Sequence, residues 1–106
     1  MINCRVRGQN ARRIRSIICT GHTSSADERD GQLVCAAVTA VVTGAANALE
    51  TLLDRQVICE SRAGYIKLAS VSTNERWFVS IFVVYVQLLT IKNIHPHCFV
   101  WQEHFS

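Results

Sequence analysis

The sequence predicts an α+β domain: a small antiparallel β-sheet made of two hairpins, packed with two α-helices in the order ββαββα. Three patterns carry this expectation. The chain opens on a period-two alternation, glycine-bearing turns separate short β-rich runs, and two long apolar stretches exceed the length of ordinary strands.

Ile2, Cys4 and Val6 alternate with Asn3, Arg5 and Arg7, the period of a half-buried strand. Gly8-Gln9-Asn10 supplies turn chemistry, and Ile14 to Cys19 resumes an extended pattern, which together predict a hairpin. Thr20 to Gln32 mixes Gly, Ser, Thr and charge without apolar periodicity and reads as a mobile loop. From Leu33 the spacing becomes helical: Val34, Val38, Val41, Val42, Ala45, Leu49, Leu52 and Leu53 share a face, and many alanines favour close packing. A second stripe, Cys35, Thr39, Thr43 and Asn47, recurs every four residues, so Thr39 lies one turn from Cys35.

Val57 to Ser61, a turn at Arg62-Ala63-Gly64, and Tyr65 to Ala69 predict the second hairpin. Glu75 to Asn93 is apolar nearly all round; periodicity alone does not separate strand from helix there, but its length argues for a helix, with Pro96 as a stop soon after. That much apolar surface exceeds what one face of a small sheet covers and suggests a dimer interface. Residues 93–106 read as an irregular C-terminal tail of a single domain, 1–106.

The chain has 106 residues, 49% of them hydrophobic and 18% charged, which fits one compact domain and excludes a disordered chain. Five cysteines, an odd number with no CxxC pair, indicate thiols in a reducing compartment. No basic-then-apolar leader precedes them, and the longest uncharged run, Trp77 to Ile91, is short for a membrane span. The expectation is a cytoplasmic protein with no membrane contact. The net charge of +3 reflects an excess of arginine near the start, at 5, 7, 12, 13 and 15. Such a patch attracts phosphate, but no aromatic stacking pattern or RNA-binding motif accompanies it, so a solvated strand face is expected in place of a nucleic-acid contact.

The residues with most chemical promise are His22 and Cys35. A thiol attacks carbonyls as thiolate, a form favoured at a helix N-terminus or beside an imidazolium. Cys35 falls in the expected first turn of the helix, whose unpaired N–H groups suit both a thiolate and the oxyanion of acyl transfer. His22 follows the second strand directly, Gly21 leaves room there, and the segment from Thr23 to Val34 is long enough to bring the two together. Residue chemistry alone leaves open a buried structural cysteine and an ordinary loop histidine.

The stretch Gly21-His22, followed after a loop by Gln32-Leu33-Val34-Cys35-Ala36-Ala37-Val38-Thr39, resembles the signature of the ribosomal-processing cysteine protease family, Prp. Ala46-Asn47-Ala48-Leu49-Glu50 continues the likeness, which extends from Ile2 to about Leu68. The resemblance implies a cytoplasmic, homodimeric endopeptidase that removes the N-terminal extension of the precursor of ribosomal large-subunit protein twenty-seven, cutting after an aromatic pair and using no cofactor. It implies His22 and Cys35 as catalytic dyad, Gly21 and Thr39 as support, and the loop with Thr23, Ser24, Ser25, Asp30 and Gly31 as a lid over the substrate. In one respect the chain departs from the family pattern: the acid three residues before the cysteine is Gln32, and Asp30 is the nearest carboxylate.

Two other readings compete. A small basic α+β module that binds ribosomal precursors or RNA without hydrolysis would also carry the arginine-rich strands. His95, His97, Cys98 and His104 cluster near the end, but His-x-His-Cys matches no closed zinc pattern, and no metal is expected.

Overall fold

The computed structural model describes residues 1–21 and 28–106, with the backbone alone for Glu28, Arg29, Asp30 and Arg55. Its elements run β1 (Ile2–Gly8), β2 (Ile14–Thr20), α1 (Glu28–Leu53), β3 (Ile58–Arg62), β4 (Tyr65–Ala69), α2 (Glu75–Ile94) and β5 (Phe99–Phe105), with 3₁₀ turns at Asp54–Gln56 and Pro96–Cys98. The strands form one sheet in the order β3-β4-β2-β1-β5. The α+β expectation and its ββαββα order hold, with a fifth strand added.

The alternation read from the sequence sets the sheet's two faces. Ile2, Cys4 and Val6 are buried while Asn3, Arg5 and Arg7 are exposed, and across the antiparallel β1/β2 pair Cys4 stands opposite Cys19 and Val6 opposite Ile17. Gly8 closes the β1–β2 connection at a register shift, where a Cβ would lie 2.2 Å from the Arg13 carbonyl oxygen. Both helices cover the same face, so Val34, Val38, Val42 and Leu49 from α1 meet Ile81 and Leu88 from α2 in one core with Ile14, Ile17 and Leu68 of the sheet. By length and hydropathy alone Gly31–Leu53 and Glu75–Ile94 would each suffice to cross a membrane, so the expectation that the second run is too short is corrected. In this fold both stretches lie on the sheet.

Three further expectations are corrected. Residues 93–106 are not an irregular tail: β5 pairs in parallel with β1 from Ile2↔Phe99 to Gly8↔Phe105 and makes the sheet mixed, with its end tied by Ser106 N–H donating to the Gly8 carbonyl at 2.9 Å. Phe99, Trp101 and Phe105 alternate with Val100, Gln102 and His104, but a parallel partner is reached only by a crossover, which no local pattern displays. The first helix starts by Glu28, not Leu33, because extending a helix costs little once a strong apolar stripe has nucleated it, even through charged residues that show no periodicity. Leu52, expected on the buried face, is 56% exposed, since the stripe drifts around a 26-residue helix and Leu49 and Leu53 occupy the core side.

Candidate active site

At one end of the sheet, a groove of about 280 Å³ opens between α1, the end of β2 and the β3–β4 turn. Cys35, Thr39 and Thr43 line it from successive turns of α1, as their four-residue spacing requires. Thr20 and Gly21 line it from β2, and Ser61 to Tyr65 from the turn. Its floor is apolar, formed by Ile2, Val38, Val42 and Ile66.

Gly21 is where the groove imposes a residue type. Its φ is +93°, and a Cβ would lie 2.4 Å from the Met1 carbonyl oxygen, so a side chain is excluded on both grounds. Its N–H donates to the Gly64 carbonyl at 2.9 Å, which ties the end of β2 to the β3–β4 turn and holds two walls of the groove in register. Gly64 itself takes φ +69°, the left-handed conformation that closes this tight turn. Beside it, the Arg62 guanidinium stacks 3.9 Å from the centre of the Tyr65 ring.

Among the described residues the five thiols differ in setting. Cys4, Cys19 and Cys98 are buried. The sulfurs of Cys4 and Cys19 lie 3.4 Å apart across β1 and β2, and that hydrogen bond, together with burial, pushes the Cys4 thiol far above its ordinary range. Cys59 is half-buried with its Sγ 3.9 Å from the Ala46 carbonyl, and burial, followed by the nearby Glu50 carboxylate, pushes it up as well. Cys35 is half-buried at the groove wall. Cys19 also reaches the groove, but from the core side and paired with Cys4.

Of the residues singled out in the sequence, Gly21, Cys35 and Thr39 come together in this groove. His22, Thr23, Ser24 and Ser25 lie outside the described residues, although His22 is next in the chain after groove-lining Gly21. Asp30 and Gly31 are corrected: both belong to the first turns of α1 rather than to a lid, and Gly31 is buried one turn ahead of Cys35. The same extension moves Cys35 away from the helix start. It lies seven residues after Glu28, where the N–H groups are spent on the i→i−4 ladder, so the helix terminus provides neither its charge stabilisation nor its oxyanion donors. Gln32 is an exposed helical residue and not a cap. Sequence reasoning missed Ser61, Arg62 and Tyr65, because only the pairing of β4 with β2, Thr20↔Tyr65, brings that hairpin to the groove. No three of the metal-ligating side chains come together among the described residues: Cys98 is buried, while His97 and His104 are exposed.

The model of the family described as cysteine protease Prp matches residues 1–99. The chain belongs to the Prp cysteine protease family. Similar solved structures include Prp from S. aureus, an essential ribosomal processing protease, in complex with a substrate peptide: 22% identity, TM-score 0.80, covering 97% of this chain and 99% of that one. The same S. aureus Prp with a covalently linked product peptide is 21% identical over the same shares, with a TM-score of 0.79. A protein from Streptococcus mutans is 23% identical with a TM-score of 0.80, covering 100% of this chain and 96% of that one. No curated protein matches. Membership of the Prp family makes the chain a cysteine protease, and its fold agrees with that of its S. aureus Prp neighbour over 97% of the chain.

Proposed function

We propose that this Prp-family chain is a cytoplasmic endopeptidase that trims the N-terminal extension from the precursor of ribosomal large-subunit protein twenty-seven, with Cys35 as nucleophile and His22 as its acid–base partner. The observation that carries the reading is the position of Cys35 and Thr39 on one wall of a groove whose opposite wall is the end of β2, directly before His22. The S. aureus Prp holds a substrate peptide and, covalently, a product peptide, which supports a peptide substrate and a covalent step here. The apolar floor of Ile2, Val38, Val42 and Ile66 suits a large apolar or aromatic side chain of that peptide.

In this reading His22 takes the Sγ proton of Cys35 and the sulfur attacks the scissile carbonyl. Since the helix start is two turns away, the oxyanion draws its stabilisation in this reading from donors along the groove, with the Thr39 hydroxyl, on the same wall one turn from Cys35, as one of them. His22 then passes its proton to the leaving amine, and water, deprotonated by the same imidazole, cleaves the thioester and restores the thiol.

The enzyme works as a homodimer in this proposal. Val83 on α2 and Leu52 on α1 are 52% and 56% exposed, and they line an apolar groove between the two helices that a second copy would cover.

The test is cleavage of a peptide spanning the extended N-terminus of that ribosomal protein. Wild type is expected to cut it, and Cys35→Ala and His22→Ala to lose turnover by several orders of magnitude while remaining folded. Thr39→Val is expected to lower kcat by about 100-fold, the usual loss for one oxyanion donor, and alkylation of Cys35 by iodoacetamide to slow in His22→Ala. Equal cleavage by wild type and Cys35→Ala, or none by a folded wild type, would defeat the reading.

A further inference from the structure

The two helices cover one face of the sheet, and pairing across all five strands fixes what the other face presents. One row runs Glu60, Lys67, Ile18, Arg5, Gln102 from β3 to β5, and the next runs Ile58, Ala69, Ser16, Arg7, His104. The row nearest the groove runs Arg62, Tyr65, Thr20, Asn3, Val100. Four of the chain's cations, Arg5, Arg7, Arg62 and Lys67, thus share this open face with one acid, Glu60. From totals of 11 lysines and arginines and 8 acids, seven of each remain for the rest of the chain, so the whole excess of +3 resides on this surface.

The cations on this face are spread out. Arg5 and Arg7 are two residues apart on one strand, about 7 Å, and Arg5 and Lys67 are separated by one intervening strand, about 10 Å. Arg5 is steadied by a neutral partner, its Nε donating to Gln102 Oε1 at 3.4 Å, which orders the guanidinium and leaves its charge in place. Beside it Asn3, Ile18, Thr20, Val100 and Gln102 line a depression of about 230 Å³ in the sheet surface.

We infer that this open face binds the phosphate backbone of single-stranded RNA. Cations about 7 to 10 Å apart with interleaved amide and hydroxyl donors suit a polymer that carries a charge on every unit, and the depression beside Arg5 is open to a sugar or base. The arginine strands alone, with no stacking motif, are expected to be a solvated face; the proposal departs from that expectation because the register adds Lys67 and Arg62 from the second hairpin to the Arg5 and Arg7 side. The inference does not rest on the peptidase reading and stands or falls separately from it.

The test is fluorescence anisotropy of a short labelled oligouridylate titrated with the full chain. Neutralising three to four phosphates predicts a log K against log salt slope of about −2 to −3, so affinity falls by about 20- to 50-fold between 50 and 200 mM salt. Arg5→Ala/Arg7→Ala/Lys67→Ala is expected to bind at least about tenfold more weakly with a slope shallower than about −1, while peptide cleavage is unchanged, since none of the three lines the groove. The single variants keep the test decisive should the triple variant misfold: Arg5→Ala weakens binding and Arg5→Lys retains most of it. No salt-dependent binding, unchanged binding by the folded variants, or tighter binding of polyglutamate or anionic vesicles than of RNA would overturn the proposal.

Discussion

The two helices lie side by side on one face of the sheet and do opposite work with it. α2 sinks large side chains into the core: Trp77, Phe78, Ile81, Tyr85 and Leu88 are buried, the Trp77 Nε1–H donates to the Ile14 carbonyl at 2.8 Å, and Tyr85 donates to Glu103 of β5. α1 buries valines and leucines, and outside the core the middle of the helix is mostly small: Ala36, Ala37, Thr39, Ala40, Thr43, Gly44 and Ala48. One helix anchors the sheet while the other leaves space above it, and the groove with Cys35 is that space. Stability and function are therefore expected to separate along the two helices, with variants of α2 costing folding energy and variants of the Cys35 wall costing turnover.

The largest loss expected from the anchoring side is Trp77→Ala. The side chain is fully buried, so its removal leaves a cavity and also a buried Ile14 carbonyl without its donor. A destabilisation of about 3–5 kcal/mol is expected by urea unfolding, against under about 1 kcal/mol for Cys35→Ala, whose half-buried thiol fills little of the core. Similar losses in both would remove the division of labour.

Next in size is Gly21→Ala, on the groove side but acting through the backbone. With φ at +93° and the Met1 carbonyl oxygen 2.4 Å from the new Cβ, about 1–3 kcal/mol of stability is expected to go. Turnover is expected to fall further than stability explains, because Gly21 ties β2 to the β3–β4 turn across the groove. Wild-type thermal stability and kcat/KM in this variant would show that the chain can leave β2 another way.

How far the sequence could be read follows from what each feature depends on. The strands β1 to β4 and helix α2 were legible because alternation, glycine turns and apolar length are local signals. The pairing of Cys35 with Thr39 on one wall was legible for the same reason, since a four-residue spacing fixes a shared helix face. What local pattern did not carry was tertiary: β5 needs β1 as a parallel partner, and Arg62 and Tyr65 reach the groove only through the β2/β4 register. The start of α1 was misplaced because Glu28 to Gln32 has no apolar period, and with it went the expectation that Cys35 sits at a helix terminus.

The anchoring helix should also leave a mark at high pH. Burial, and then the hydrogen bond to the Glu103 carboxylate, pushes the Tyr85 hydroxyl from 10.0 up to about 12. The folded state thus holds this proton more tightly than the unfolded chain does. Below pH 10 both states are protonated and the contribution is complete; between pH 10 and about 12 the unfolded chain ionises first, so stability falls as pH rises. Relative to Tyr85→Phe, the wild type is expected to lose about 1–2 kcal/mol across that window, measured as the difference in unfolding free energy at the two ends. A constant difference between the two proteins would show that the bond to Glu103 does not hold the proton.

The smallest effect is expected where α2 begins. Asn74 Oδ1 accepts from the Arg76 N–H at 2.9 Å and its Nδ2 donates to Gln56 Oε1 at 3.1 Å, so one side chain caps the helix and links it to the turn after α1. The approach is built the same way, with Ser70 Oγ accepting from the Ser72 N–H and Ser72 Oγ from the Asn74 N–H, both at 3.0 Å. Because that ladder positions the backbone independently of the cap, Asn74→Ala is expected to cost about 1 kcal/mol, the ordinary value for a lost N-cap. Asn74→Asp keeps the acceptor and favours the helix dipole, but gives up the donor to Gln56, so it separates the two roles. Near wild-type stability in Asn74→Asp would place the energy in the cap. A loss equal to that of Asn74→Ala would place it in the link between the end of α1 and the start of α2, and would mean that the two helices are less independent than their different surfaces imply.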